Sequence, residues 1–357
     1  MYYSKQRVAN LRQEMAKLHI DGFLVTNPAN VKYLSNFTGD EGILLVTENG
    51  KYLITDSRFE VQIADENPDW TFIETRYYLK EALEAANKEH LASIGFENTI
   101  DYASYDYLDE NAVCDIVPFG GVIEDLRSVK DPREIELVKE SCDLAGKGYQ
   151  YVLDNVHPGQ TEREVATKLD YFMRMNGASE WSFESIVASG ERTTRPHGTF
   201  TDKKIENGDL VTLDFGYYLN DYTSDVTRTF GIGKGMQDDK VKEIYDVVLN
   251  ANQKTIEAVK AGVNGQDLDR IGRDYITKRG YGEYFNHGMG HGIGLSIHEL
   301  PNVGRTYREF MREGQVITIE PGVYVPGVGG VRIEDDILVT KDGHEVLTDF
   351  SKKLIEV

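Results

Sequence analysis

Cysteine is nearly absent from this chain: Cys114 and Cys142 are the only two in 357 residues. That excludes a disulfide framework and a thiolate metal cluster. Long apolar runs are missing as well, and without a stretch of about 18 such residues no ordinary membrane helix is expected. Basic residues are outnumbered, with 39 Lys and Arg against 60 Asp and Glu and a formal charge of -21. No sustained basic stripe offsets that acid, so neither nucleic acid nor an anionic membrane is an expected partner. The opening "MYYSKQRVANLRQEMAKLHI" is charged throughout and lacks the apolar core of a signal peptide. A cytoplasmic location is therefore expected.

The composition that remains, 40% hydrophobic and 28% charged, is that of a globular protein, and the length suits two domains. In the first third, Val8, Leu11, Met15 and Leu18 recur at helical spacing, and Asp21-Gly22 stops that helix before the apolar "FLVT". "GILLVTENGKYLIT" reads as a hairpin around Asn49-Gly50, and "WTFIE" and "SIGFE" add further strands. A long helix then opens at Asp131-Pro132, with Glu134 completing a capping box and Ile135, Val138, Cys142, Ala145, Tyr149 and Val152 as its apolar stripe. "TERE" at 161–164 caps a second helix, which Asn176-Gly177 ends. The boundary expected from this pattern separates an α/β domain at 1–128 from a second domain at 129–357.

Within the second domain one phrase is written twice. "VTLDFGYY" (211–218) and "ITIEPGVY" (317–324) share apolar, Thr, apolar, acid, any residue, Gly, any residue, Tyr. Each is followed by a turn and a returning strand that again carries an acid, Asp225 in "SDVTRTF" and Glu334 in "VRIEDD". Strand side chains alternate faces, so two related hairpins can aim Asp214, Asp225, Glu320 and Glu334 at one polar side. Four carboxylates in a small space repel and are costly to desolvate, whereas two divalent cations would balance them. Oxygen ligands with an imidazole suit Mn, Co, Zn or Fe(II).

"NHGMGHGIGLSIHE" supplies the imidazoles. His287 and His291 are four apart, as in a zinc-binding helix, but the base Glu is missing and glycines at 288, 290, 292 and 294 disfavour a helix. So many glycines suit a backbone passing close to something. One histidine can bind metal while His298 stays free for proton transfer. His197, in "SGERTTRPHGTF", lies in a loop context compatible with a pocket.

These residues resemble a known family. "LDFG", "SDVTRTF", "GHGIGLSIHE", "TIEPGVYVP" and "GGVRIEDD" look like the ordered signatures of the pita-bread-fold metallopeptidases, in their proline-specific branch. The first third, with "TDSRF" at 55–59, is similar to that branch's creatinase-like domain. The fold implied is α+β: a creatinase-like α/β domain followed by a pita-bread catalytic domain with pseudo-two-fold symmetry. By position the resemblance implies Asp214, Asp225, His291, Glu320 and Glu334 as ligands of two divalent ions, Mn foremost with Co, Zn or Fe open. It implies His197 and His298 as substrate-holding and proton-handling groups and Glu320 as general base toward a water between the ions. Tyr324 and Arg332 fall where the family places supporting and substrate-binding groups. Proline-containing peptides are the implied substrates, and a homodimer the implied assembly.

Two activities within this branch differ in whether the substrate chain may continue beyond proline. A dipeptidase needs a cation for the terminal carboxylate. Some prolidases place an Arg four residues after the position of His298, and here that residue is Asn302. The reading taken from this is an Xaa-Pro aminopeptidase; the alternative is an Xaa-Pro dipeptidase, with Arg195, Arg305, Arg308 or Arg312 as substitute cation. A remote alternative is a relative that has lost its metals and binds peptides or histones, against which the intact ligand set counts.

Overall fold

The computed structural model describes residues 2–233 and 238–357. The chain forms two compact units, Met1–Arg127 and Ser128–Val357. In the first, the helix Tyr2–Leu18 turns Val8, Leu11 and Met15 inward, as their spacing predicts. Six strands make one sheet, in the order Thr71–Glu74, Lys51–Thr55, Ile43–Thr47, Gly22–Val25, Ser93–Glu97, Asp115–Phe119. The two central pairings that involve Ile43–Thr47 are antiparallel, one of them the Asn49-Gly50 hairpin, and the other three are parallel. Leu24, Leu45, Ile54 and Phe96 bury one side of the sheet against Ala82 and Ala86 of the helix Tyr78–Lys88. In "TDSRF", Asp56 caps the short turn Ser57–Phe59 and accepts hydrogen bonds from the Arg58 backbone and guanidinium.

The second unit opens with the helix Pro132–Asn155, whose N-terminus carries the expected Asp131–Glu134 capping box. The helix Glu162–Met175 follows, capped by Thr161 and Glu164. These two helices pack on the strands Ile186–Ser189, Leu210–Phe215 and Val226–Gly231 through a core that includes Tyr149, Leu169, Met173, Val211 and Leu213. A second core repeats the scheme. The helices Asp239–Glu257 and Gly265–Lys278 cover the strands Val316–Ile319 and Asp335–Val339 through Val248, Leu268, Ile276, Ile317 and Ile337. Each half thus buries the apolar face of one hairpin beneath two helices, and the opposite, polar faces remain for the site.

The two hairpins are less continuous than their sequences suggest. The first runs Leu210–Phe215, Tyr217–Leu219, a turn at Asn220 and Asp221, then Tyr222–Thr223 and Val226–Gly231. The second runs Val316–Ile319, Gly322–Val325, Gly329–Arg332 and Asp335–Val339. Asp225, Glu320 and Glu334 each fall in an interruption between strands, while Asp214 is next to the end of its strand. The unbroken acid-bearing strands expected from alternation are corrected on this point. The breaks have a physical use, because a residue outside the ladder can turn its side chain without losing a paired backbone group. Asn220 and Asp221 both have positive φ, 50° and 73°, which closes the first hairpin with the twist its strands need.

Candidate metal centre

Asp214 sits on Leu210–Phe215 with its Cα opposite Thr227, and Thr212 stands opposite Thr229. The face opposite Val211, Leu213 and Phe215 is therefore the polar one, as alternation predicts. Against it the second hairpin brings Glu320 and Glu334. Ligand atoms of Asp225, His291 and Glu334 all lie within 4.8 Å of one another. Nε2 of His291 is 3.5 Å from Asp225 Oδ2 and 3.7 Å from Glu320 Oε1. Asp214 joins through Arg332, whose guanidinium donates to its Oδ2.

His291 lies on a three-residue strand, Gly290–Gly292, between Glu299–Val303 and Val316–Ile319. The flanking glycines are required by space. A Cβ on Gly290 would lie 1.9 Å from the Thr318 carbonyl oxygen, and one on Gly292 would lie 2.3 Å from that of Leu300. What the glycine-rich backbone passes so closely is the protein's own main chain. His291 Nδ1 is 3.1 Å from the Gly292 carbonyl oxygen, a bond that places the proton there and leaves Nε2 with its lone pair toward the acids. Burial, with His298 adding to it, lowers the His291 pKa to about 4.

The acids carry the opposite strain. Burial and then the neighbouring carboxylates raise Asp225 and Glu334 well above the usual carboxylate range. Glu320 is raised to about 8 by burial, with Arg332 opposing and Asp214 adding. Asp214 Oδ1 is buried and has no hydrogen-bond partner among the described residues. A cluster of acids that repel one another, a neutral imidazole lone pair and an orphaned carboxylate oxygen fit a hard or borderline divalent cation. Asp225, His291 and Glu334 could hold it together, with Glu320 3.7 Å from His291 and Asp214 as further candidate ligands.

Behind these groups lies a buried network that sequence leaves mostly invisible. Arg332 donates to Asp214, to Tyr324 Oη at 2.7 Å and to Thr227 Oγ1 at 3.1 Å. Thr227 Oγ1 in turn donates to Glu334 Oε2 at 2.7 Å. Tyr324 Oη lies 2.9 Å from His287 Nε2, so the histidine left without a role by the failed helical spacing belongs to the site. Its Nδ1 is 3.8 Å from Glu320 Oε2, and burial lowers its pKa to about 3. Asp336 Oδ2 accepts from the Asp225 backbone N–H at 3.0 Å and from the Cys142 thiol at 3.3 Å. Cys142, read from its stripe as core, therefore also reaches the ligand scaffold. For His287 the available signal was its place four residues before His291; for Cys142 there was none.

The His298 ring meets that of His291 edge-on, with centroids 4.5 Å apart. His197 is close enough to bear electrostatically on both His287 and His298. The loop of His298 is fixed beneath by a buried ion pair, Lys130 Nζ to Glu299 Oε2 at 3.0 Å. Asn302 stands directly opposite His291 across the strand pair. Arg195 is exposed, and its guanidinium makes no ion pair among the described residues. Arg305 and Arg308 are also exposed, while Arg312 donates to Ser128 Oγ.

Two related hairpins converging on carboxylates and one imidazole define a metal-dependent hydrolase of the pita-bread architecture. Residues 136–341 match the model of metallopeptidase family M24, and residues 7–129 match the creatinase/prolidase N-terminal domain. The chain belongs to metallopeptidase family M24 and is a metallopeptidase. It is 39% identical over 354 residues to the Xaa-Pro dipeptidase of Pyrococcus horikoshii, covering 98% of this chain and 99% of that one. The structure of an Xaa-Pro dipeptidase from Bacillus anthracis superposes with a TM-score of 0.96 at 40% identity, over 99% of this chain and 100% of its own. An X-Pro aminopeptidase from Thermotoga maritima superposes with a TM-score of 0.89 at 34% identity, over 96% and 100%. The relatives thus favour the dipeptidase alternative over the aminopeptidase reading drawn from Asn302. Divalent-metal binding goes with the family. Among the described residues no helix is long and apolar enough to cross a membrane.

Proposed function

We propose that this protein is a metal-dependent Xaa-Pro dipeptidase, with proline-containing dipeptides as substrates and Mn as the first choice among Mn, Co, Zn and Fe. The observation that carries the chemistry is the convergence of Asp225, His291 and Glu334 within 4.8 Å, with Glu320 and Asp214 beside them. Divalent cations held there would supply Lewis-acid polarisation of the scissile carbonyl and a lowered pKa for water.

The protein's own groups supply the rest. Glu320, with a side chain one-fifth exposed and Oε1 3.7 Å from His291 Nε2, would act as the general base once a cation has displaced its proton, and can still be reached by substrate. His298, exposed and edge-on to His291, and His197, exposed and near enough to bear on His287 and His298, would hold the substrate and the charge that develops on its carbonyl oxygen. Tyr324 and Arg332 enter as holders of Asp214 and His287, since the Arg332 side chain is spent on protein partners. An imino nitrogen without N–H lets a pocket take the proline ring with no donor to satisfy. Arg195 is the cation we assign to the terminal carboxylate, because it is exposed, makes no ion pair among the described residues and is two residues from His197.

The aminopeptidase reading keeps one specific support, the Asn302 that stands opposite His291 in place of an Arg. Metal-stripped protein, with and without Mn, is offered an Xaa-Pro dipeptide and an Xaa-Pro-Yaa tripeptide. Mn-dependent cleavage of the dipeptide alone is expected; efficient release of the first residue from the tripeptide would make it an aminopeptidase. The proposal extends to a cytoplasmic homodimer, supported by the family resemblance and, for the location, by a chain with only two cysteines. Sedimentation as a monomer under assay conditions would refute the dimer.

A further inference from the structure

Glu162 is wholly inaccessible to solvent, and the fold gives it no evident local task. The helix it opens is already capped by Thr161 and Glu164. An isolated buried carboxylate is costly and persists only with several donors. Glu162 has five. It accepts from the Ser189 backbone N–H at 2.8 Å and Ser189 Oγ at 2.9 Å, and from Thr201 N–H at 3.0 Å and Thr201 Oγ1 at 2.7 Å. The fifth is Arg192 Nε, 3.0 Å away.

These donors come from one segment of chain. Ser189 ends a strand, Thr201 lies in the irregular stretch before the strand Leu210–Phe215, and between them the 3-10 turn Gly190–Thr194 and residues 195–200 form the loop that carries His197. Arg192 also donates to the Thr199 carbonyl, bracing the loop from within. On its other side Thr193 Oγ1 accepts from the Gly330 N–H, which belongs to the hairpin of Arg332. Both ends of the loop and its internal brace therefore meet on a single carboxylate.

We propose that Glu162 is a positioning residue for His197: by gathering both ends of the 190–200 loop it fixes where that imidazole stands relative to His287 and His298. The inference rests on the reading of His197 as a substrate-holding group. Glutamine cannot replace the carboxylate, because it offers one acceptor oxygen and turns an NH2 toward groups that are already donors. The loop then loses its closure, and misplacement of about 1 Å costs on the order of 100-fold in rate.

The test is a double-mutant cycle of Glu162→Gln and His197→Ala in the Mn-loaded protein, read as kcat/KM on an Xaa-Pro dipeptide, with metal content measured for each variant. Glu162→Gln alone is expected to lose about 10- to 100-fold with metal content unchanged, and the double variant to be no worse than His197→Ala. Multiplied losses in the double variant overturn the proposal, as does full activity in Glu162→Gln. Full activity in His197→Ala would instead remove the reading on which it rests. Should Glu162→Gln not fold, Thr201→Val withdraws one donor and enters the same cycle with the same outcomes.

Discussion

At the scale of single residues, the roles separate by what each group touches. Asp225 has carboxylate neighbours on several sides and its backbone held by Asp336, so its charge matters more than its shape. Asp225→Asn is expected to lose at least about 100-fold in turnover and to bind less metal, with circular dichroism unchanged. Near-normal turnover would contradict the metal centre. His298 approaches His291 but is offered no carboxylate at ligand distance among the described contacts. His298→Ala should therefore cut kcat by about 100- to 1000-fold while metal content, measured by atomic emission, stays near that of the parent. Protons report on the same cluster. Asp225, Glu320 and Glu334 are all raised, so at pH 7 the metal-free site holds protons that a cation must displace. Mn binding should release protons, seen as a buffer-dependent heat in calorimetry, and affinity should fall as pH falls.

At the scale of elements, what could be read from sequence depended on whether the pattern was local. The helix Pro132–Asn155 was legible because cap, proline and apolar stripe agree within one stretch. The Asn49-Gly50 hairpin was legible for the same reason. The polar face of Asp214 followed from alternation, but alternation fails across the breaks at Asp225, Glu320 and Glu334, where side-chain direction is set by contacts more than a hundred residues away. The resemblance pointed to Arg332 and Tyr324 as supporting groups, but the contacts that join them to Thr227 and His287 were illegible, as was the grip of Glu162 on the 190–200 loop, because no local pattern spans them. The Lys130–Glu299 pair shows the energetic weight of such long-range contacts. Both side chains are nearly inaccessible, 1% and 5% exposed. Lys130→Met would strand a buried carboxylate and should cost about 3 kcal/mol in urea unfolding. A loss under about 0.5 kcal/mol would mean that Glu299 finds other partners.

At the scale of the whole molecule, the second unit is two helix-covered hairpins whose separate apolar cores leave the acids between them. Stability then depends on what balances those acids. For Glu320 the folded-state pKa of about 8 lies above its ordinary value. The protonated form is the one the metal-free fold tolerates, so its contribution is complete below about pH 4 and is lost as pH rises through about 8. Metal-stripped protein should melt at a lower temperature at pH 9 than at pH 6.5, and Mn should narrow that gap. An equal melting temperature at both pH values would mean that other groups already neutralise the cluster.

The spacing of the ligands along the chain carries a temporal consequence. Asp214 and Asp225 are synthesised about a hundred residues ahead of Glu320 and Glu334, on a hairpin with its own helices and its own apolar core. During translation Asp214 and Asp225 emerge with their hairpin, but Phe350, Ile355 and Val357, which pack against that first core, emerge last of all. On the proposed ligand set, the site can be complete only after nearly the whole chain has been made, so a cation bound there would mark a finished chain.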